Sequence, residues 1–102
     1  MDWGIVRMTE EQSIPIEKVL QSKGRVKILK IIAEEGELNI SEIGRRARLN
    51  NRAMHSHLKF LIQADILQEK KFGRVRIYRF RIELVKVRAI KNLFNIWENS
   101  EM

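Results

Sequence analysis

The residues best suited to chemistry lie in two short stretches. Asn51, Arg52, His55, Ser56 and Lys59 recur at spacings that put them on one side of a helix. Asn and Arg each offer two hydrogen bonds in one plane, and that geometry matches the major-groove edges of adenine and guanine respectively. Lys70, Lys71, Arg74 and Arg76 surround Gly73, a cationic set suited to phosphate oxygens or the minor groove. Ser41, Arg46 and Asn50 stand near expected helix starts and an adjoining backbone surface, where phosphate contacts form readily. Other chemistries find no support. The chain has no cysteine, which excludes disulfides, thiolate metal sites and cysteine nucleophiles. Its two histidines, His55 and His57, sit two apart on one helix, point roughly 200° apart and cannot hold one ion together. His57 flanks the apolar side and is expected to be a half-buried packing residue. There is no Ser-His-Asp set, no glycine-rich phosphate loop and no carboxylate pair, so no enzymatic activity, metal or cofactor is expected.

The elements that must position these side chains are readable in order. Ser13-Ile14-Pro15 predicts a helix start, with Ser13 as cap and Pro15 in the first turn, where its missing N–H is harmless. Ile16, Val19 and Leu20 give it a short apolar face, which Ser22 and Gly24 interrupt. Ser22 then caps a second helix whose stripe is Val26, Ile28, Leu29, Ile31, Ile32 and Ala33, and Gly36 ends it. Glu37-Leu38 reads as a short extended link. Asn39 to Glu42 reads as a capping box, with Asn39 accepting from a backbone N–H and Glu42 reaching back. Ile40, Ile43 and Ala47 make one face of a two-turn helix. Arg48-Leu49-Asn50 is a turn, and Asn50 caps the next helix, whose inner face is Met54, Leu58 and Leu61. Gln68 to Phe72 and Arg74 to Phe80 form a hairpin about Gly73, with a twist or bulge expected at the adjacent Ile77 and Tyr78. Phe72 is expected to pack at the hairpin base in preference to acting as a wedge. A last helix runs from about Glu83 to Trp97.

The charge distribution agrees with this placement. Among 102 residues, the net charge is +7. Residues 1–40 carry six basic and seven acidic side chains, residues 41–82 eleven and three, and residues 83–102 three of each. The excess is therefore confined to the stretch holding the two functional sets. A length of 102 residues, 44% hydrophobic, suits one modest core. Neither a membrane span nor a signal peptide is visible, and a cytoplasmic, nucleoid-associated protein is expected.

Two short helices joined by a three- or four-residue turn, the second followed by a basic hairpin, make a helix-turn-helix with a wing. The stretch from Arg25 to Phe80 resembles winged-helix regulators of the ArsR-like group, especially small archaeal members. Its most specific portion is HLKFLIQADILQEKKFGRVRIYRF, where Asp65 stands in place of the usual glycine before Ile66-Leu67. Asp also tolerates the left-handed turn. The resemblance implies duplex-DNA binding. It does not imply metal sensing, because Asn39-Ile40-Ser41 occupies the place of the cysteines of metal-sensing members, and the terminal helix has no histidine.

The expected fold is mainly helical with a small β-hairpin, an α+β winged helix-turn-helix ending in a dimerisation helix. It is read as one domain: an arm over 1–12, two helices over 13–35, the helix-turn-helix over 39–64, the wing over 67–81 and the dimerisation helix over 83–98. On that last helix Val87, Ile90, Phe94 and Trp97 form a heptad-like seam, with Val85, Ala89, Leu93 and Ile96 as a second row. One row suffices to pack on a small domain, so the seam is expected to join two copies, together with the first helix. Trp3, Val6 and Met8 are expected to pack there or to lie free. The expected function is a homodimeric, sequence-specific transcription regulator on double-stranded DNA. Asn51, Arg52, His55, Ser56 and Lys59 read bases, Ser41, Arg46 and Asn50 hold the backbone, and the wing adds Lys70, Lys71, Arg74 and Arg76. The alternatives are a winged-helix protein-interaction module and a non-specific architectural DNA-binding protein.

Overall fold

The computed structural model describes residues 14–99. The expected cap Ser13 and the residues Trp3, Val6 and Met8 lie outside them. Five helices and three strands follow in the order α1 (Ile16–Leu20), α2 (Lys23–Glu35), β1 (Glu37–Asn39), α3 (Ile40–Ala47), α4 (Asn51–Gln63), β2 (Leu67–Phe72), β3 (Val75–Phe80) and α5 (Val85–Asn99). The sheet is antiparallel, in the order β1-β3-β2. This is the winged helix-turn-helix architecture, with the hairpin extended to three strands.

The local chemistry explains each junction. The Ser22 hydroxyl accepts from the Arg25 N–H at 3.2 Å and starts α2. Gly36, at φ +88°, ends it, with its N–H donating to the Ile32 carbonyl. Asn39 ends β1, where it faces Ile77, and its side chain also accepts from the Glu42 N–H at 2.9 Å to start α3. Asn50 starts α4 the same way, accepting from the Ala53 N–H at 2.8 Å. At the far end of α4, Ile66 N–H donates to Leu61 O and Asp65 N–H to Ile62 O, both at 3.0 Å. With Asp65 at φ +60°, this is a Schellman ending.

Ile28, Leu29 and Ile32 of α2, Ile43 of α3, Leu58 and Leu61 of α4, Leu67, Tyr78 and Phe80 of the sheet and Val87 of α5 are all but excluded from solvent. They form one core, and α2 runs through its middle. Ile90 and Phe94 of α5 pack against the same cluster, half-buried.

Several expectations are corrected. Pro15 takes the N-cap position of α1 and not its first turn, and makes no side-chain cap bond. Gly24 does not interrupt a helix but lies in the first turn of α2. Glu37-Leu38 is no mere link, because with Asn39 it pairs along β3, Glu37 against Arg79 and Leu38 against Tyr78. The Glu42 carboxylate does not reach back to Asn39; it is held by Arg45, which donates from Nε at 3.2 Å and from Nη2 at 2.6 Å. The hairpin has no bulge at Ile77-Tyr78, and its register runs evenly from Leu67 opposite Phe80 to Phe72 opposite Val75. Tyr78 enters the core while Ile77 is half-buried on the opposite face between Asn39 and Lys70, so both neighbours can be apolar without a break in alternation. Helix α5 begins at Val85, two residues after the expected Glu83.

Asp65 shows why the usual glycine is not needed. Its carboxylate lies 3.9 Å from Arg81 Nε, and both side chains are largely buried. Glycine at 65 would relieve about 1–2 kcal/mol of left-handed strain but remove one partner of a buried ion pair, a loss of about 3–5 kcal/mol. Arg81 keeps Glu83 at 3.5 Å, which softens the loss. Asp65→Gly is therefore expected to destabilise the fold by about 1–2 kcal/mol net, measured by urea denaturation. An increase in stability would show that backbone strain outweighs the ion pair.

Candidate nucleic-acid interface

Helix α4 is seated by two close approaches. A Cβ at Gly44 of α3 would lie 2.7 Å from Met54 Sδ, and one at Gly24 of α2 would lie 2.9 Å from His57 Nε2. At Gly44 the approaching atoms are the flexible end of Met54, and at Gly24 they belong to the His57 ring. Between α3 and α4 the chain turns at Arg48, left-handed at φ +57°, and Leu49 N–H donates back to the Gly44 carbonyl. With Met54, Leu58 and Leu61 turned inward, Asn51, Arg52, His55, Ser56 and Lys59 are all exposed on the other side. The structure thus brings the five expected base-reading residues onto one open face. His55 Nδ1 donates to the Asn51 carbonyl at 2.8 Å, which fixes the ring and leaves Nε2 as an acceptor in the neutral form.

His57 is half-buried, as expected. The Ser22 hydroxyl lies 3.4 Å from its Nε2, and its buried Nδ1 has no partner among the described residues. Burial, and next the nearby Arg25 guanidinium, lowers its pKa below the usual value. Arg25 is itself placed by the Phe60 ring, 3.8 Å from its centroid, and donates to the Lys18 carbonyl at 2.6 Å.

The backbone-contact set is divided. Ser41 and Asn50 are exposed at the starts of α3 and α4, though the Asn50 side-chain carbonyl is already used in its cap. Arg46 is committed elsewhere. It donates to Glu35 at 2.8 Å and to Glu34 at 3.0 Å, bracing α3 on α2, and these carboxylates raise its pKa. The carboxylates that neutralise it lie more than ten residues away in sequence, beyond the reach of a local reading. Arg48 is an exposed cation at the turn that sequence reasoning left without a role; its place between two capping residues was the available signal.

In the wing, Gly73-Arg74 forms a two-residue turn with φ +57° at the glycine alone, the pattern of a type II′ hairpin. Lys71 and Arg74 are exposed at its tip. Lys70 Nζ lies 4.7 Å from the centroid of the Phe72 ring. Arg76 is 4.0 Å from Glu69, whose carboxylate also accepts from the Tyr78 hydroxyl at 2.5 Å. Burial, followed by Glu69, pushes that hydroxyl's pKa far up. Glu69 thus offsets the charge of the hairpin stem and leaves the tip positive. Phe72 is not a packing residue at the hairpin base: it stands beside the turn and is 45% exposed.

Residues 22–69 match the family model described as bacterial regulatory protein, arsR family. They form an ArsR-family helix-turn-helix domain. Solved structures of the same fold include HlyU from Vibrio cholerae N16961, 21% identical over 84% of this chain and 89% of that one, with a TM-score of 0.71. Another is the antimony-specific transcriptional repressor AntR, 22% identical over 81% and 73%, with a TM-score of 0.66. A third is the transcriptional repressor BigR from Xylella fastidiosa, 19% identical over 78% and 79%, with a TM-score of 0.64. No curated protein sequence matches the chain. Among the described residues, no group of His, Cys, Asp or Glu could hold a metal ion, and no helix is long and apolar enough to cross a membrane.

The half-buried His57 gives the domain a pH signature. Its folded pKa is depressed below the 6.5 of the open chain, so folding does not change its proton count well above that value. As pH falls through 6.5, the unfolded chain takes the proton first, and stability declines until the folded pKa is reached. Denaturation midpoints at pH 7.5 and 5.5 should therefore fall with pH for the native chain and much less for His57→Gln. Equal slopes would show that His57 titrates alike in both states.

Proposed function

We propose that the chain is a sequence-specific, double-stranded-DNA-binding transcription regulator that acts as a homodimer. One observation carries this reading: the open face of α4 presents Asn51, Arg52, His55, Ser56 and Lys59 together, with no carboxylate engaged by any of them among the described residues. Helix α4 enters the major groove, Asn51 and Arg52 meet base edges, and Ser41, Asn50, Lys71 and Arg74 hold phosphates. Lys70 and Arg76 add positive potential to the wing stem, and Arg46 supports α3 without meeting DNA. The match to the arsR family of regulatory proteins, and the fold shared with the transcriptional repressors AntR and BigR, support the same reading.

Binding should weaken steeply with salt, because each phosphate contact releases a condensed counterion. A dimer with several contacts per subunit should show a log–log slope steeper than about −4 between roughly 50 and 200 mM salt. On a site selected from random duplex DNA, Arg52→Ala should cost about 1–3 kcal/mol and spare random DNA, whereas Arg74→Ala should weaken both alike. Arg46→Ala should change neither by much, because its guanidinium is already spent on Glu34 and Glu35. Affinity that ignores salt would remove the nucleic-acid reading. Equal losses on both DNAs for Arg52→Ala would make Arg52 a phosphate contact and favour architectural binding.

The dimer is proposed through α5, but not through the expected seam. Val87 is 1% exposed within its own chain, and Ile90 and Phe94 pack on the same core. Leu93, Ile96 and Trp97 are 47, 57 and 74% exposed. The second row, joined by Trp97, is thus the outward one. It borders an apolar groove of about 360 Å³ between α1 and α5, lined by Ile14, Ile16, Val19, Ala89, Ile90 and Leu93 among others. A second copy set there about a two-fold axis places two α4 helices for half-sites about one helical turn apart. Leu93→Glu should halve the mass in sedimentation equilibrium at tens of micromolar while leaving the helical content unchanged, because it forces a charge into a seam where each large side chain is worth about 1.5–3 kcal/mol. Phe94→Glu should unfold the domain instead. A native chain already monomeric at that concentration would leave the paired half-sites without a basis.

A further inference from the structure

We propose that the wing of this chain is a DNA-kinking device, in which Phe72 enters the minor groove as an apolar wedge between two base pairs. The inference rests on the duplex-DNA reading above and deepens it. An aromatic ring at a basic hairpin tip is anomalous unless it has something to enter. Phe72 and its cross-strand partner Val75 are 45 and 46% exposed. Both lie on the face of the hairpin opposite Tyr78 and Phe80, outside the core, and nearly half of each side chain is open to solvent. Alternation puts Ile77 behind Val75 on the same face, giving an apolar strip that ends at the turn.

Two further observations choose the occupant. Lys71 and Arg74 flank the apolar pair, and Lys70 Nζ sits 4.7 Å from the Phe72 ring centroid. The one carboxylate of the hairpin, Glu69, is set back from the tip and engaged by Tyr78 and Arg76. An apolar surface ringed by cations fits a partner that is polyanionic outside and apolar within, which is a stacked duplex under its phosphates. The hairpin is also built to push. Its ladder is unbroken to the last pair before the turn, so force on Phe72 passes directly to β2 and β3. A two-stranded ribbon is too wide to sink into a minor groove about 6 Å across, but a single ring can enter it. A side chain inserted in this way unstacks a step and bends the helix towards the major groove, where α4 is placed. The step that yields most easily is pyrimidine–purine, TA or CA/TG. Phe72 thus selects sequence by deformability, at a position no hydrogen bond reads.

The test uses the full chain and the duplex selected from random DNA, end-labelled for energy transfer. A parallel duplex carries 2-aminopurine beside each candidate step. The native chain should shorten the end-to-end distance and raise the 2-aminopurine signal at one step on each outer flank. Phe72→Ala should lose both changes while still binding with the same salt dependence, and Phe72→Leu should restore them in part. A mismatch at that step should strengthen native binding by about tenfold, because its unstacking is already done, and should leave Phe72→Ala indifferent. Phe72 is exposed, and an unchanged thermal midpoint of the variant confirms that it folds. Bound but unbent DNA, or equal bending by Phe72→Ala, overturns the wedge and leaves the DNA reading intact. Absence of binding to any duplex at low salt overturns both. Capture of phosphatidylserine vesicles that depends on Phe72, with DNA left straight, would assign the tip to a membrane surface and overturn the proposal.

Discussion

The close seating of α4 is the constraint on which the rest of the structure depends. The inner face of α4 meets α2 and α3 at two glycines, which leave room for the side chains that α4 turns inward. Gly44 lets α3 approach Met54, and Gly24 lets the first turn of α2 approach His57. Burial of one apolar face fixes the rotation of α4. Met54, Leu58 and Leu61 must point inward, and with 3.6 residues per turn the open side can only be that of Asn51, Arg52, His55, Ser56 and Lys59. The caps reinforce this. Asn39 and Asn50 each begin a helix by accepting from the N–H three residues on, so the start points of α3 and α4 are held by the same chemistry on both sides of the turn.

Electrostatics then sharpens what packing has placed. Of the eleven basic residues between 41 and 82, several serve the fold. Arg45 is tied to Glu42, Arg46 to Glu34 and Glu35, Arg76 to Glu69, and Arg81 to Asp65 and Glu83. Arg48, Arg52, Lys59, Lys71 and Arg74 have no such acidic partner among the described residues. The positive footprint is therefore narrower than the regional charge suggests, and it coincides with the turn, α4 and the wing tip. Exposed ion pairs of the Arg45–Glu42 kind add little stability. Their larger effect is subtractive, since they remove positive potential from the places where it would attract an anion to the wrong surface.

The caps, the turn, the inner and outer faces of α4 and the hairpin were legible because each is a local pattern of a few residues. Ser22, Asn39, Asn50, Gly36 and Gly73 announce their roles by type and position alone. What escaped was non-local. The pairing of Glu37-Leu38-Asn39 with β3 depends on residues some forty positions away, and three residues carry too little pattern to announce a strand. The partners of Arg46 lie in another helix. The acceptor for Tyr78 is across the hairpin in Glu69. Two adjacent apolar residues imply a bulge only where one face of the sheet is covered, and the half-buried Ile77 shows that the other face is partly covered as well.

The terminal helix shows the limit of periodicity most clearly. Two apolar rows separated by part of a turn both recur at intervals of three and four residues, and nothing within α5 tells which one meets its own domain. The row of Val87, Ile90 and Phe94 won because α2 already offers a complementary surface, and because the turn over 82–84, with Arg88 donating to the Ile82 carbonyl at 2.6 Å, sets the phase at which α5 begins. Lys30 of α2 and Glu98 of α5, 3.6 Å apart, close the other end of that contact. Once one row is used, the other has no choice but to face outward, and Leu93, Ile96 and Trp97 are too large to be left there at no cost in solubility. The same packing that completes the single domain thereby leaves exposed the row proposed above to hold a second copy, and the phase of one helix decides which row is core and which faces outward.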